Sequence, residues 1–171
     1  TTGVQNTIIG SLAGDALNTG SYNVAVGHVA LTTDTKGNKS TAFGYGALYA
    51  QNFTTSTDSY NVGVGYDAGG AITTARYNTC IGAEAGKAIT DTGGVNTCIG
   101  ARAGHDLTTG SHNIAIGTDA LSKEDGHGYN VAVGVDALEE LNAGAHSVTM
   151  AVGYQAGHEL TSTLSDEVVV G

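Results

Sequence analysis

The sequence predicts an all-β fold, a parallel β-solenoid or β-roll of about ten 17-residue coils, and three observations lead to this prediction. A short phrase of the form N-x-x-I-G recurs along all 171 residues, small and β-branched residues alternate within it, and turn residues separate its copies. In solenoids each copy forms one coil that packs on its neighbours. We therefore expect residues 1–171 to form one repeat domain, as a segment of a longer fibre.

The glycine that closes each phrase sets the length of the repeat. Helical repeats need about 30–45 residues and propeller blades about 40, whereas the commonest spacing here is 17 residues, which fits one coil of a β-solenoid. We interpret these glycines as structural. They are Gly10, Gly27, Gly44, Gly65, Gly82, Gly100, Gly117, Gly134, Gly153 and Gly171.

The three residues before each glycine predict a short strand. The residue two positions before the glycine is nearly always small, as at Ala25, Cys80 and Ala115, and its neighbours are mostly Val, Ile or Thr. Alternation with a period of two indicates a strand. Because both faces are apolar, we expect one face to fill the coil and the small residues of the other to let a second backbone approach. This predicts a homo-oligomer.

The residues after the glycine predict the opposite wall of the coil. Ala follows three positions later in all nine complete coils, and the next residue is either Leu or Gly. Wherever it is Gly, an aliphatic residue follows three positions later, as with Gly69 and Ile72. We interpret these as two ways of filling one space, because an empty space would cost stability.

Asn begins the phrase in seven coils, including Asn78, Asn96 and Asn113. Stacked about 4.8 Å apart, these amides can form a hydrogen-bonded ladder or satisfy the backbone of the turns. We therefore interpret them as structural. The residue just before this position is often aromatic, and we expect these side chains to pack over the coil edge: Tyr22, Tyr60, Tyr77, His112 and Tyr129.

Charge and hydropathy exclude several classes of partner. The formal net charge is −10 with only six Lys and Arg residues, which argues against binding of nucleic acid through a basic surface. No apolar run approaches the roughly 20 residues of a membrane span, so no membrane insertion is expected within this segment.

Phrases such as NVAVGHVAL, NTCIGARAGHDLTTG and NIAIGTDAL resemble the head repeats of YadA-like trimeric autotransporter adhesins and the related repeats of bacteriophage tail fibres. The resemblance covers essentially the whole chain and implies a left-handed, trimeric β-roll in which each turn is one rung of a rigid shaft. The repeat here is longer than in adhesin heads, and no heptad stalk or membrane anchor is present, so the tail-fibre version is closer. It implies an extracellular location, on a virion tail or cell surface.

No motif in the chain predicts catalysis, a cofactor or a metal. The stretch GVGYDA at residues 63–68 matches a dinucleotide-binding pattern, but its glycines are explained by the repeat and no long helix follows.

Cys80 and Cys98 hold the same position in consecutive coils, within disulfide range. We interpret them as buried small apolar residues, with a disulfide as the alternative.

A ladder of charged residues lies two positions after the glycines. Arg102 stands between Glu84 and Asp119, which predicts exposed ion pairs. Asp119 and Asp136 stack with like charge, and we interpret them as a hydrated outer face, with a bound cation as the less favoured alternative.

Receptor contacts are expected where insertions interrupt the repeat, since binding residues tend to lie on loops held by a rigid scaffold. The longest insertions are residues 49–59 and 139–147, followed by the charged segment 122–128. The candidates for contact with a host cell-surface glycan or protein are Tyr49, Asn52, Phe53 and His146. The alternative is a decorated loop without a ligand.

Together these observations predict a non-enzymatic shaft segment of a fibre or adhesin, a homotrimer that displays receptor-binding surfaces. An extracellular filament or matrix protein is one alternative. A single-chain carbohydrate- or ice-binding β-solenoid is another, although ice binding is disfavoured because the paired Thr residues fall in the predicted turns.

Overall fold

The computed structural model describes residues 2–142, 148–161 and 166–171. Over these ranges the chain is all-β and contains no helix. The strands are β1 (Thr7–Ile9), β2 (Val24–Val26), β3 (Gly37–Asn38), β4 (Thr41–Phe43), β5 (Thr57–Asp58), β6 (Val62–Val64), β7 (Thr79–Ile81), β8 (Thr97–Ile99), β9 (Ile114–Ile116), β10 (Val131–Val133), β11 (Thr149–Val152) and β12 (Glu167–Val170).

Ten of these strands stack into one parallel sheet. Its order is β1-β2-β4-β6-β7-β8-β9-β10-β11-β12, so each strand lies beside the strand of the next repeat. The register matches equivalent residues; Ala25 lies opposite Ala42, for example, and Cys80 opposite Cys98. This arrangement is the parallel β-solenoid that the repeat predicted, with about nine turns where about ten coils were expected.

The repeat glycines form the corner at the end of each strand. Their φ angles lie between +127° and +140° from Gly10 to Gly153, a region that residues with a side chain rarely adopt. A Cβ at any of them would lie 2.0–2.5 Å from the carbonyl oxygen of the next repeat glycine. The backbones of successive corners therefore touch, which explains why Gly27, Gly82, Gly100, Gly117 and Gly134 carry no side chain.

The small residues of the strands point into the coil, and the prediction that they line an intermolecular interface is wrong. Ala25, Cys80 and Ala115 are all fully buried within the single chain. The space opposite them is already occupied: a Cβ at Gly63 would lie 2.9 Å from Leu48 Cγ and from the Ala68 carbonyl oxygen. The bulkier residues on either side of them face outward instead.

The opposite wall of the coil is filled in the two predicted ways. Leu48 is fully buried in a coil of the first kind, and Ile72 is fully buried in a coil of the second kind. In one coil both positions carry an aliphatic residue, since Leu138 and Leu141 are both fully buried. In coils of the second kind, a Cβ at Gly69 would lie 2.9 Å from Ile72 Cδ1, so Ile72 reaches the space that Leu fills in coils of the first kind. The same closeness holds for the pairs Gly14 and Leu17, Gly86 and Ile89, Gly104 and Leu107, and Gly157 and Leu160.

Buried asparagines join successive coils at the start of the strands. The backbone N–H of Asn78 donates to Asn61 Oδ1 at 2.9 Å, and Asn78 Nδ2 donates to the Gly93 carbonyl at 2.9 Å. In the same way, the backbone N–H of Asn96 donates to Asn78 Oδ1, and the backbone N–H of Asn113 donates to Asn96 Oδ1. Each amide thus satisfies backbone groups of both the next strand and a turn, as the second of the two interpretations expected.

Candidate functional site

The outward face of the ten-stranded sheet is a continuous apolar strip. Each strand presents two outward residues, and among the described residues none of these is charged. Four of the twenty are threonines and the others are apolar. Many stay exposed, from 36% for Ile116 to 79% for Val170. Nine rung spacings of about 4.8 Å make this strip roughly 43 Å long. A contiguous exposed apolar patch of this kind marks an interaction site.

The insertion at residues 49–59 folds against the solenoid, and only part of it is exposed. Tyr49 is 46% exposed and Asn52 is also exposed, where Asn52 Oδ1 accepts a hydrogen bond from Thr35 Oγ1 at 3.2 Å. Phe53 is only 5% exposed, so its assignment as a receptor contact is wrong. Its backbone N–H donates to the buried carboxylate of Asp34, which fixes the main chain at this residue.

His146 and most of the second insertion lie outside the described residues.

A buried polar network anchors the first insertion. Gln51 Nε2 donates to Asp34 Oδ2 at 2.6 Å and to Ser40 Oγ at 2.7 Å, and Gln51 Oε1 accepts from Asn61 Nδ2 at 2.9 Å. All four residues are at most 1% exposed. Because buried polar groups are costly unless they are satisfied, this network fixes the path of the chain into Tyr49 and Asn52.

The network occupies a position that aliphatic residues fill in other coils. Asp34, Gln51 and Glu124 stand seven residues after a repeat glycine, where Ile72 and Leu107 stand in coils of the other kind. Where Leu fills the interior space four residues after the glycine, this second position can carry a polar group. In Glu124 the carboxylate accepts hydrogen bonds from the backbone N–H groups of the following turn.

The predicted ion-pair ladder forms only in part. Arg102 Nε lies 2.6 Å from Asp119 Oδ1, as expected. Glu84, however, pairs with Lys87 at 2.7 Å, and Lys87 also lies 3.3 Å from Asp67. The hydrogen bond from Lys87 lowers the pKa of the Glu84 carboxyl, and the same bond raises the pKa of Lys87.

Cys80 and Cys98 are buried free thiols on adjacent strands. Their mutual hydrogen bond, together with burial, raises the pKa of the Cys80 thiol well above its usual range. A neutral, fully buried thiol is a small apolar residue, as the sequence indicated, and not a reactive nucleophile.

Two columns of aromatic rings run along the solenoid at its corners. Tyr60 and Tyr77 stack with ring centroids 5.4 Å apart, and His112 and Tyr129 stack at 4.9 Å, in the column predicted to pack over the coil edge. A second column follows the repeat glycines. It contains His28, Tyr45 and Tyr66, stacked at 5.3 and 5.4 Å. Sequence reasoning missed this column, although its residues share one repeat position.

Comparison of the chain with known protein families, with curated proteins and with solved structures finds no match. Within the described residues, no helix is long and apolar enough to cross a membrane.

Proposed function

We propose that this chain is a non-enzymatic shaft segment of an extracellular fibre of the tail-fibre or adhesin kind, and that it assembles as a homotrimer. The observation that carries the proposal is the uncharged apolar strip on the outward face of the sheet. Residues such as Ile81, Ile116 and Val152 stay 36–40% exposed in the single chain. Burial of such side chains contributes about 25 cal/mol per Å² of apolar area, which favours covering the strip with other copies.

The shaft role follows from the way the coils are joined. Successive rungs of the sheet share one parallel register, and asparagine bridges join most of them, so neighbouring coils contact each other in a regular way. The stability of such a solenoid is approximately the sum of the stabilities of its coils and of the interfaces between them, which suits a rigid spacer. The resemblance of the repeat to fibre and adhesin repeats supports the trimer and a location on a virion tail or cell surface.

Measurement of the mass of the native assembly tests whether the protein is a trimer. The chain has a mass of 17.1 kDa, so light scattering on the native protein is expected to give three times this value, about 51 kDa. Ile116→Glu places a charge on the strip and is expected to yield a β-rich monomer. Thr118→Glu, an exposed position just beyond the Gly117 corner, is the matched control and should keep the mass of the native assembly. A monomeric native chain would refute the proposal.

One observation favours a single-chain binding solenoid as the second candidate. Thr41, Thr79 and Thr97 occupy outward positions of the sheet and not turns, so the exposed face combines Thr with Val and Ile in regular rows. A flat, regular and uncharged face of this kind could bind an ordered surface directly. A folded monomer in the light-scattering experiment would move this function to first place.

A further inference from the structure

The chain contains two motifs of the form Asn-x-Ser/Thr, NKS at residues 38–40 and NFT at residues 52–54. With any residue except proline in the middle, this motif is the acceptor signal for an N-linked glycan. Because the glycan is bulky and hydrophilic, a folded protein accommodates it only on its surface. The structure separates the two motifs, since the first is part of the scaffold and the second is exposed.

The side chains of the first motif hold the coils together. Asn38 is half-buried in β3, where its Oδ1 accepts from the backbone N–H of Ser21 at 2.9 Å and its Nδ2 donates to Ser56 Oγ at 3.2 Å. Ser40 is 1% exposed, and its hydroxyl oxygen lies 2.6 Å from Ser59 Oγ. A glycan on Asn38 Nδ2 would compete with Ser56 for the amide, so the fold disfavours it at this motif.

The side chains of the second motif lie at the surface. Asn52 and Thr54 are exposed, whereas Phe53 between them is only 5% exposed. The main chain of Phe53 is held on both sides, because its N–H donates to Asp34 Oδ1 at 3.1 Å and its carbonyl accepts from the N–H of Lys36 at 3.0 Å. The buried middle residue therefore keeps both recognition side chains of the motif in solvent.

The amide of Asn52 has its nitrogen available. Asn52 Oδ1 accepts from Thr35 Oγ1 at 3.2 Å, and the backbone N–H of Asn52 donates to the Thr73 carbonyl at 2.9 Å. Since Oδ1 faces Thr35, Nδ2 lies on the other side of the amide carbon. Within the described part of the chain, Nδ2 donates no hydrogen bond. A sugar bonded to this nitrogen would displace none of the contacts that fix the loop.

Asn52 also lies on a different side of the coil from the apolar strip. It stands eight residues after Gly44, in one column with Thr35 and Thr73, whereas the strip consists of residues one and three positions before the glycines. Leu48, which fills the wall opposite the strand, comes between the two along the chain. A glycan on Asn52 therefore leaves the strip free for contact between copies.

We infer that Asn52 carries an N-linked glycan. In the transfer step Nδ2 forms a bond to C1 of the first sugar of a lipid-linked oligosaccharide, while the bond from C1 to the diphosphate oxygen breaks. The lipid diphosphate leaves, and the amide nitrogen loses one proton to water. The inference rests on the extracellular location in the proposed function, because this transfer modifies chains that are being exported. Asn52, a candidate receptor contact from the sequence, then presents a sugar and does not bind one.

Expression of the whole chain through the secretory pathway of cultured eukaryotic cells tests the inference. Mass spectrometry is applied to the chain recovered from the medium and from the cells, before and after treatment with peptide N-glycosidase. We expect a glycan on Asn52 in most molecules and none on Asn38, and the enzyme converts the carrier from Asn to Asp, which peptide mapping locates. An unmodified Asn52 in both fractions, or a glycan on Asn38 in its place, would overturn the inference.

Thr54→Ala and Thr55→Ala form a matched pair of variants. Both threonines are exposed and adjacent, but only Thr54 belongs to the motif. We expect Thr54→Ala to lose the glycan completely and Thr55→Ala to keep it. Circular dichroism should show the same β-rich spectrum for both, since neither side chain is buried. A glycan retained by Thr54→Ala would contradict the assignment.

Release of the glycan from the folded chain tests its placement at the surface. Because Asn52 is exposed, peptide N-glycosidase is expected to remove the glycan from the native chain as completely as from the urea-unfolded chain. The circular dichroism spectrum should not change on removal. Release only after unfolding would show that the linkage is not in solvent.

The outcome can be separated from that of the proposed trimer. Light scattering on chain made in bacteria, without a glycan, measures the assembly alone. A monomer in that experiment would refute the trimer, while a glycan on Asn52 would still support the acceptor site. A trimer recovered from eukaryotic cells without a glycan would refute the acceptor site alone.

Discussion

At the scale of the residue, this chain depends on backbone conformations that most side chains avoid. Residues at the coil corners adopt positive φ whether or not they are glycine, and among the described ones two are β-branched, Val29 and Val95. The left-handed conformation costs roughly 1–2 kcal/mol for residues with a side chain, and β-branched residues tolerate it least. The stacked contacts of neighbouring coils hold these residues in place.

Replacement of Val95 by Asn is expected to stabilise the protein by about 0.5–1 kcal/mol, because Asn tolerates the left-handed region. Val95 is exposed and its φ is +62°, so little packing is lost. Val135→Asn is the control, as Val135 is equally exposed but has no positive φ. Urea unfolding measures both changes. Equal effects at the two positions would show that strain at Val95 is not the cause.

Replacement of Gly100 by Ala is expected to cost at least about 2 kcal/mol of unfolding free energy. Its φ is +131°, and the new Cβ would lie 2.5 Å from the Gly117 carbonyl oxygen. Gly126→Ala is the control, because a Cβ there would meet nothing closer than Thr109 Oγ1 at 3.4 Å. Thermal unfolding followed by circular dichroism compares them, and a Gly100→Ala variant as stable as its control would contradict the role of the corner.

At the scale of the element, each strand is too short to be stable by itself. Most strands have three residues, and their order comes from the coil above and the coil below. The asparagine bridges supply this link, since one amide satisfies a strand N–H and a turn carbonyl together. Removing either partner leaves buried polar groups without hydrogen bonds, which costs more than the bond itself.

Asn96→Ala is therefore expected to lower the unfolding free energy by about 2–4 kcal/mol. The variant would leave the Asn113 N–H and the Gly110 carbonyl without their side-chain partner. The control is Asn18→Ala, at an exposed turn position, which should change the unfolding free energy by less than about 0.5 kcal/mol. Denaturant unfolding of the two variants checks this prediction, which a small loss in Asn96→Ala would contradict.

At the scale of the whole molecule, the two faces of the sheet have separate roles. The inward face stabilises the single chain through Ala, Cys and Gly, and the outward face leaves Val, Ile and Thr available for contact. Most charged residues lie at the corners and turns, where ion pairs such as Arg102 with Asp119 are partly exposed and contribute little to stability.

The variant Ala115→Phe tests whether the inward face is needed for folding of the single chain. Because Ala115 is fully buried inside the coil, the larger ring is expected to disrupt folding of the chain itself and not only its assembly. The expected result is loss of the β-sheet signal in far-UV circular dichroism or recovery only in the insoluble fraction. A soluble β-rich chain carrying Ala115→Phe would show that the interior has more room than the structure indicates.

The repeat by itself determined the solenoid, the corner glycines, the bridging asparagines and the alternative fillings of the core. These features recur from coil to coil along the chain, and a repeated spacing reports directly on a repeated contact. It also located Tyr49 and Asn52 on an exposed insertion.

Only the tertiary structure decided which strand face points inward, because a period of two separates the faces without saying which lies inside the coil. The width of the coil settles it, since Leu48 and its equivalents leave room for only a small residue opposite. Burial of Phe53 and the pairing of Glu84 with Lys87 likewise depend on neighbours one coil away.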